Sequence, residues 1–326
     1  MRFKNSAQML VLLSAVACWP ILFCTAQELF DAPAKGPDNW PRLFQKAESG
    51  NAEAQFQVAL AYELGLGMPR DYSQAATWYR RAADRGNAGG ENNLGGLYSR
   101  GLGVTQSDSE AVRWYMRAAA AGHPTGENNL GFMFAGGRGV SKSEETAIFW
   151  YRKAAAQGYP GAEANLGFMY ATGRGVVADP AEAMKWYRKA AKRNFAPAEF
   201  ELGRMYLHGT GISQNVPESI KWFRTAAEHG LSSAQAELGY VYSHGIGVSQ
   251  DFAQAEHWYR LAAENGSLEG QHNLQVIVAL RRGVQSEAES TLAAKSGSEM
   301  APSPVPDTIE LLPVRPSSLL RREGER

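Results

Sequence analysis

The sequence has almost no cysteine and no net charge. Both of its cysteines, Cys18 and Cys24, fall in the first 26 residues. If that segment is removed, the remaining chain has no thiol and no disulfide, and its stability must come from packing alone. The 33 Lys+Arg balance 33 Asp+Glu, with a pI of about 7.0. The chain therefore has no overall field to draw nucleic acid or an anionic membrane. With 20% charged and 10% aromatic residues it is too apolar for a disordered chain. The familiar catalytic signatures are missing as well: there is no G-x-S-x-G, P-loop, H-E-x-x-H or C-x-x-C. What the chain has in excess is glycine, 34 residues without a collagen period.

The two ends differ from the middle. Arg2 and Lys4 open a basic start, Met9 to Ala17 is apolar, and Cys24-Thr25-Ala26 carries small residues where a signal peptidase cuts. Residues 1–26 are expected to be a secretory signal cleaved after Ala26, which makes the protein exported, periplasmic or extracellular. Two alternatives stay open. Residues 9–26 can be retained as an anchor, although Pro20 interrupts them, or Ala15-Val16-Ala17-Cys18 can act as a lipoprotein box that leaves an acylated Cys18. Residues 27–38 are expected to be a linker. After 282 the composition shifts to Ser, Ala, Glu and Pro, so 283–326 is expected to be a disordered tail, with Ile309-Glu310-Leu311-Leu312 as a linker end or a short docking motif.

Between these ends the sequence repeats. Trp78, Trp114, Trp150, Trp186, Trp222 and Trp258 recur every 36 residues without a slip. The same register carries two rows of glycines, Gly65 to Gly245 and Gly67 to Gly247, and the pairs Ala82-Ala83 to Ala262-Ala263. A fixed period of this length is the mark of a solenoid. Six units result, at 52–87, 88–123, 124–159, 160–195, 196–231 and 232–267, each with room for two short helices. In the first helix Ala162, Leu166, Met169 and Tyr170 form an i, i+4, i+7, i+8 stripe. The G-x-G then stops it, since glycine takes the left-handed conformation of a helix C-cap. Asp71, Ser107, Ser143, Asp179, Asn215 and Asp251 mark the second helix as N-caps, and a Glu or Gln three residues later in five of the six units predicts capping boxes. Gly86 and its equivalents end that helix, with Asn194 as the one substitute. Half-repeats at 39–51 and 268–282 are expected to cap the array. With the five Leu-Gly glycines Gly95, Gly131, Gly167, Gly203 and Gly239, these rows account for 22 of the 34 glycines, so the excess is mostly helix punctuation and close packing.

The pattern LG-x-x-Y-x-x-G-x-G-V followed by A-x-x-W-Y-x-x-A-A-x-x-G is plain at Leu94-Gly95, Tyr98, Gly101, Gly103, Val104, Ala111, Trp114-Tyr115, Ala118-Ala119 and Gly122. It resembles the Sel-one-like repeat (SLR) family, a relative of the tetratricopeptide repeats, over residues 39–280. The first copy departs at Val58-Ala59 and the fifth at Ser219 and Phe223. The resemblance implies an all-α fold, a right-handed α/α superhelical solenoid. It also implies an adaptor for protein complexes, with exported bacterial members in envelope signalling, secretion, polysaccharide export or host contact. Some exported members resemble β-lactam-binding or hydrolysing proteins with a disulfide in each repeat, a framework this chain lacks.

The repeated Trp, Tyr, Ala and Gly are expected to form the core. By analogy with tetratricopeptide repeats, the first helices line a concave groove, and its variable exposed positions are the candidate partner-binding set. These are Phe56, Asn92, Asn128 and Phe200, then Phe132, Phe168, Arg204 and Tyr240, then Arg100, His208 and His244. Aromatics mixed with Arg and Asn suit an extended peptide or a partner helix. His208 and His244, with His272 nearby, lack the i, i+4 spacing of a metal pair, so no metal, cofactor or catalytic residue is expected. The row Gln55, Glu91, Glu127, Glu163, Glu199 and Gln235 recurs in every unit, which fits structural hydrogen bonding better than catalysis. The function expected is an exported, non-catalytic protein-binding scaffold whose partner the sequence does not name. A cell-wall-directed enzyme or binder and a lipid-anchored polysaccharide-export assembly factor are the alternatives.

Overall fold

A computed structural model describes residues 39–296, with side chains through 283. The signal segment, both cysteines, the 27–38 linker and the 309–312 patch lie outside the described residues. Fourteen helices and no strand occur among them. By contacts the chain divides into two compact units, whose described parts are 39–193 and 194–296.

The first unit opens with the half-repeat helix α1 (Trp40–Glu48). Four helix pairs follow: α2 (Ala52–Leu64) with α3 (Tyr72–Asp84), α4 (Ala88–Arg100) with α5 (Asp108–Ala120), α6 (Pro124–Gly136) with α7 (Glu144–Ala156), and α8 (Pro160–Thr172) with α9 (Pro180–Ala191). The second unit holds α10 (Ala196–His208) with α11 (Val216–Glu228), α12 (Ser232–His244) with α13 (Phe252–Glu264), and a last helix, α14 (Leu268–Ser296). Within each unit every helix packs on the next one in the chain.

All six expected N-caps form. Asp71, for example, accepts from the backbone N–H groups of Ser73 and Gln74 at 2.9 and 3.0 Å, and Asn215 from that of Glu218 at 3.0 Å. The capping boxes are only half made, which corrects the sequence expectation. The N-cap's own N–H donates to a carbonyl of the preceding first helix, as in Asp71 to Tyr62 (2.9 Å) and Asn215 to Tyr206 (2.8 Å). The acidic side chain of the box, left without that donor, turns outward to a base, as Glu182 does to Lys185 at 2.7 Å. The same N–H···O bond ties the two helices of each repeat together across the G-x-G loop.

The glycine rows do two different jobs. The first Gly of each G-x-G is a left-handed C-cap, with φ from 66° to 73°. The second also lacks room: a Cβ on Gly103, at φ +68°, would stand 2.2 Å from the Tyr72 backbone of the previous repeat. The Leu-Gly glycines seat an aromatic ring. A Cβ on Gly95 would meet the Tyr115 ring at 2.8 Å, and one on Gly203 the Phe223 ring at 2.5 Å. That packing leaves Tyr79, Tyr115, Tyr259 and Phe223 fully buried, beside Leu94, Leu130, Leu166, Leu202 and Leu238.

The tryptophans are core on one side only. Trp78, Trp114 and Trp258 are buried, while Trp150, Trp186 and Trp222 keep part of their surface. A base one turn on covers four of the rings: Arg81, Arg117, Lys153 and Lys189 lie 4.4, 4.8, 4.9 and 3.8 Å from the centroids of Trp78, Trp114, Trp150 and Trp186. The C-terminal boundary also shifts. Helix α14 continues past Gly283 to Ser296, because 284–296 contains no proline and is rich in Gln, Glu, Ala and Leu, all good helix formers.

Candidate functional site

The recurring acidic and amide row is a structural brace. Gln55, Glu91, Glu127, Glu163, Glu199 and Gln235 are all buried, each at most 4% exposed. Gln55 and Gln235 donate to the carbonyls of Ala47 and Ala227 at the end of the preceding second helix (2.9 and 3.0 Å). The others reach donors on their own repeat's second helix or just beyond it: Glu91 takes Arg117 (2.8 Å), Glu127 takes Gln157 (2.8 Å), Glu163 takes Arg193 (3.6 Å) and Glu199 takes His229 (2.8 Å). Burial raises the Glu163 and Glu199 carboxyls above the ordinary range, opposed by Arg193 and His229. The six braces thus reach helix ends in two ways, the amides to the preceding second helix and the acids to their own.

Two of the predicted groove residues are not on the surface. Asn92 is 7% and Asn128 4% exposed, contrary to the expectation that both line an open face. The reason is an amide ladder between repeats: Asn129 Nδ2 donates to Asn92 Oδ1 at 3.0 Å, and Asn165 Nδ2 to Asn128 Oδ1 at 2.9 Å. Asn92 also donates to Asn93, which donates to the Tyr79 hydroxyl, each at 3.0 Å. Such a satisfied network fixes the register of adjacent first helices. Phe56 and Phe200 are half-buried and packed against Tyr79 and Phe223, with centroids 5.8 and 5.4 Å apart.

The remaining candidates keep accessible surface. In the first unit Phe132 and Phe168 are half-buried, with the guanidinium groups of Arg138 and Arg174 5.9 and 5.7 Å from their centroids. Arg100 is exposed and bonds to Glu63 at 3.2 Å. In the second unit Arg204 pairs with Glu201 at 3.2 Å, and Tyr240 stacks on His244 at 4.1 Å. His208 and His244 are both exposed. Partial desolvation of the His208 ring, helped by nearby Arg204, lowers its pKa. Among the described residues no group of three His, Cys, Asp or Glu side chains is placed to hold a metal ion. None of the described helices is long and apolar enough to cross a membrane.

Sequence reasoning passed over the second-helix surface. Phe149 is 54% and Met116 43% exposed, both on second helices, and both stand out as apolar residues in registers that hold polar or charged ones elsewhere. It also passed over Glu237, half-buried on α12, whose carboxyl burial raises to a pKa of about 7.

The Sel1 repeat family model matches residues 52–87, 88–123, 124–159, 160–195, 196–231 and 232–267, the same six units that the tryptophan period defines. The chain belongs to the Sel1 repeat family. Sel1 repeat proteins are generally protein-interaction scaffolds. Among solved structures, a protective antigen of uropathogenic Escherichia coli displaying an SLR fold is 37% identical with a TM-score of 0.58, over 71% of this chain and 50% of that one. A Sel1 repeat protein from Oxalobacter formigenes is 29% identical with a TM-score of 0.63, over 69% and 97%. The secretory immunoglobulin A-binding protein EsiB of Escherichia coli O6:H1 is 44% identical over 54 residues, 17% of this chain and 11% of EsiB. The Sel1 repeats thus span half of the antigen's solved chain and a small part of EsiB.

Proposed function

We propose that this Sel1 repeat protein is an exported, non-catalytic adaptor that binds another protein along the exposed side of its first helices. One observation carries the reading: the ring row Tyr79 to Tyr259 and the row Gln55 to Gln235 are buried in every repeat, whereas several first-helix positions that change from repeat to repeat keep accessible aromatic and cationic side chains. Phe132, Phe168, Arg204, Tyr240, His208 and His244 illustrate the second class. Large, rigid aromatic groups beside cations give much binding energy for little loss of side-chain entropy. The six buried carboxyl and amide groups of the brace are each committed to a helix end, which supports a scaffold over an enzyme. Export is supported by the basic, apolar and small-residue order of residues 1–26.

Affinity purification from the native host, with wild type and an Arg204→Glu, Tyr240→Ala double variant, tests the reading. Secretory immunoglobulin A, the ligand in EsiB's name, serves as one defined bait. The double variant should lose partners that wild type retains while its thermal unfolding is unchanged. Retention of every partner would reject this face.

A further inference from the structure

One register position in the second unit has lost the partner that Asn93 uses in the first. In the first unit Asn93 Nδ2 donates to the Tyr79 hydroxyl at 3.0 Å, fourteen residues back, and that hydroxyl donates to Glu63 at 2.6 Å. The same pair of positions holds Phe223 and Glu237 in the second unit. Phe223 is fully buried against Phe200 and Gly203, and it has no hydroxyl to offer. Glu201 is the other acid in this register, but it faces Tyr187 and pairs with Arg204, so Glu237 is the acid that has neither a facing hydroxyl at this position nor a base of its own.

The surroundings do not supply the missing charge. Among the described residues no Lys, Arg or His lies within the 4.0 Å ion-pair distance of the Glu237 carboxylate. The charged groups that face it are Arg204 from α10, whose guanidinium is engaged by Glu201, and Glu269 from α14, which repels it. Tyr259 from α13 and Tyr240 from its own helix are the titratable neighbours. One turn along, the stacked rings of Tyr240 and His244 provide a wall on which an aliphatic stem can lie.

We infer that Glu237 is a binding residue that receives a cationic side chain, the ammonium of lysine or the guanidinium of arginine, from an extended segment of the partner. The assignment rests on the adaptor reading above and adds the partner's chemistry to it. A bound cation supplies the direct countercharge that Arg204, engaged by Glu201, gives only at a distance, and the Tyr240 ring offers its stem an apolar face. Ionisation of Glu237, held up to about 7 chiefly by burial, then becomes linked to binding.

The test uses the full chain as wild type, Glu237→Gln and Phe223→Tyr, each panned against a random twelve-residue peptide library at pH 8. Wild type should enrich peptides with Lys or Arg at a fixed distance from an apolar residue, and Glu237→Gln should not. A synthetic peptide so selected should bind Glu237→Gln about tenfold more weakly, equivalent to about 1.4 kcal/mol. Phe223→Tyr, which returns a hydroxyl to the acid, should weaken binding in the same direction. Lowering the pH from 8 to 6 should weaken the wild-type complex, by up to about tenfold per pH unit below the midpoint, and leave Glu237→Gln flat. The flat variant separates Glu237 from every other titratable group of the chain. Enriched peptides without a cation preference, or a preference that survives in Glu237→Gln, would overturn the assignment and leave the adaptor reading standing. If neither chain enriches any peptide, both fail.

Discussion

The two units carry the same repeat but different chemistry at the same places. Where the first unit has Asn93, Asn129 and Asn165, the second has Glu201 and Glu237 before returning to Asn273. Where the first has Asn92, Asn128 and Ala164, the second has Phe200 and Ala236. In the first unit the amides close on one another in a buried ladder. In the second, Glu201 pairs with Arg204, and Glu237 faces Arg204 and Glu269. Both units use the same caps, glycine seats and braces. The comparison teaches that the 36-residue frame determines the fold, while the residues free to differ within it close on one another in one unit and stay partly open in the other.

Attacks on the shared frame should cost the most. Trp114→Ala removes a buried indole and the seat of Arg117, and should lower stability by about 3–5 kcal/mol in chemical denaturation. An unchanged midpoint would remove Trp114 from the core. The frame's two kinds of glycine can then be separated. Gly103→Ala combines a positive φ with a clash on the Tyr72 backbone and should cost about 2–5 kcal/mol, whereas Gly122→Ala, at φ +76° with open space around it, should cost only about 1–2 kcal/mol. Equal losses would show that the contact between repeats carries nothing.

The units themselves should differ in pH response. Glu237 has a pKa raised from 4.5 to about 7 in the folded chain. The folded state holds that proton more tightly, so the stability that Glu237 contributes is fully present below about pH 4.5 and is lost by about pH 7, above which both states are ionised. The fall is on the order of 2–3 kcal/mol for this largely buried group. Urea unfolding of Glu237→Gln across pH 5–8 should be flatter than that of wild type; parallel curves would contradict the shift. In the first unit Asn129→Ala, which breaks the ladder and leaves Asn92 Oδ1 without its donor, should cost about 1–3 kcal/mol with little pH dependence.

The smallest effect is expected at the unmade capping boxes. Asp179→Ala should cost about 1 kcal/mol, but Glu182→Ala no more than about 0.5 kcal/mol, because the Asp179 N–H is already held by the Tyr170 carbonyl at 2.9 Å. A closed box would make the two losses similar.

Most of the frame was legible because its signals are local and repeated six times. N-caps, left-handed glycines and the tryptophan period each depend on a few neighbouring residues. The capping boxes misled for the opposite reason: the carbonyl that satisfies each N-cap N–H, such as Tyr62 for Asp71, belongs to the other helix and is invisible to a spacing rule. Asn92 and Asn128 were placed on the surface because an amide reads as polar, and only their pairing with Asn129 and Asn165 one repeat on permits burial. Glu237 was legible in principle, since the change of Tyr to Phe223 and of Asn to Glu237 is visible in the aligned repeats. Its meaning needed the Tyr79–Asn93 bond to show that the two positions touch.

Site-specific photo-crosslinking in the native host tests most directly the claim that recognition uses the variable side of the first helices. A benzophenone amino acid is placed at Phe132, Phe168 or Tyr240 on first helices, and at Met116 or Phe149, the exposed apolar positions on second helices. The account predicts that the first-helix positions capture a common partner and that Met116 and Phe149 do not. Capture at Met116 and Phe149 with none at the first-helix positions would contradict it.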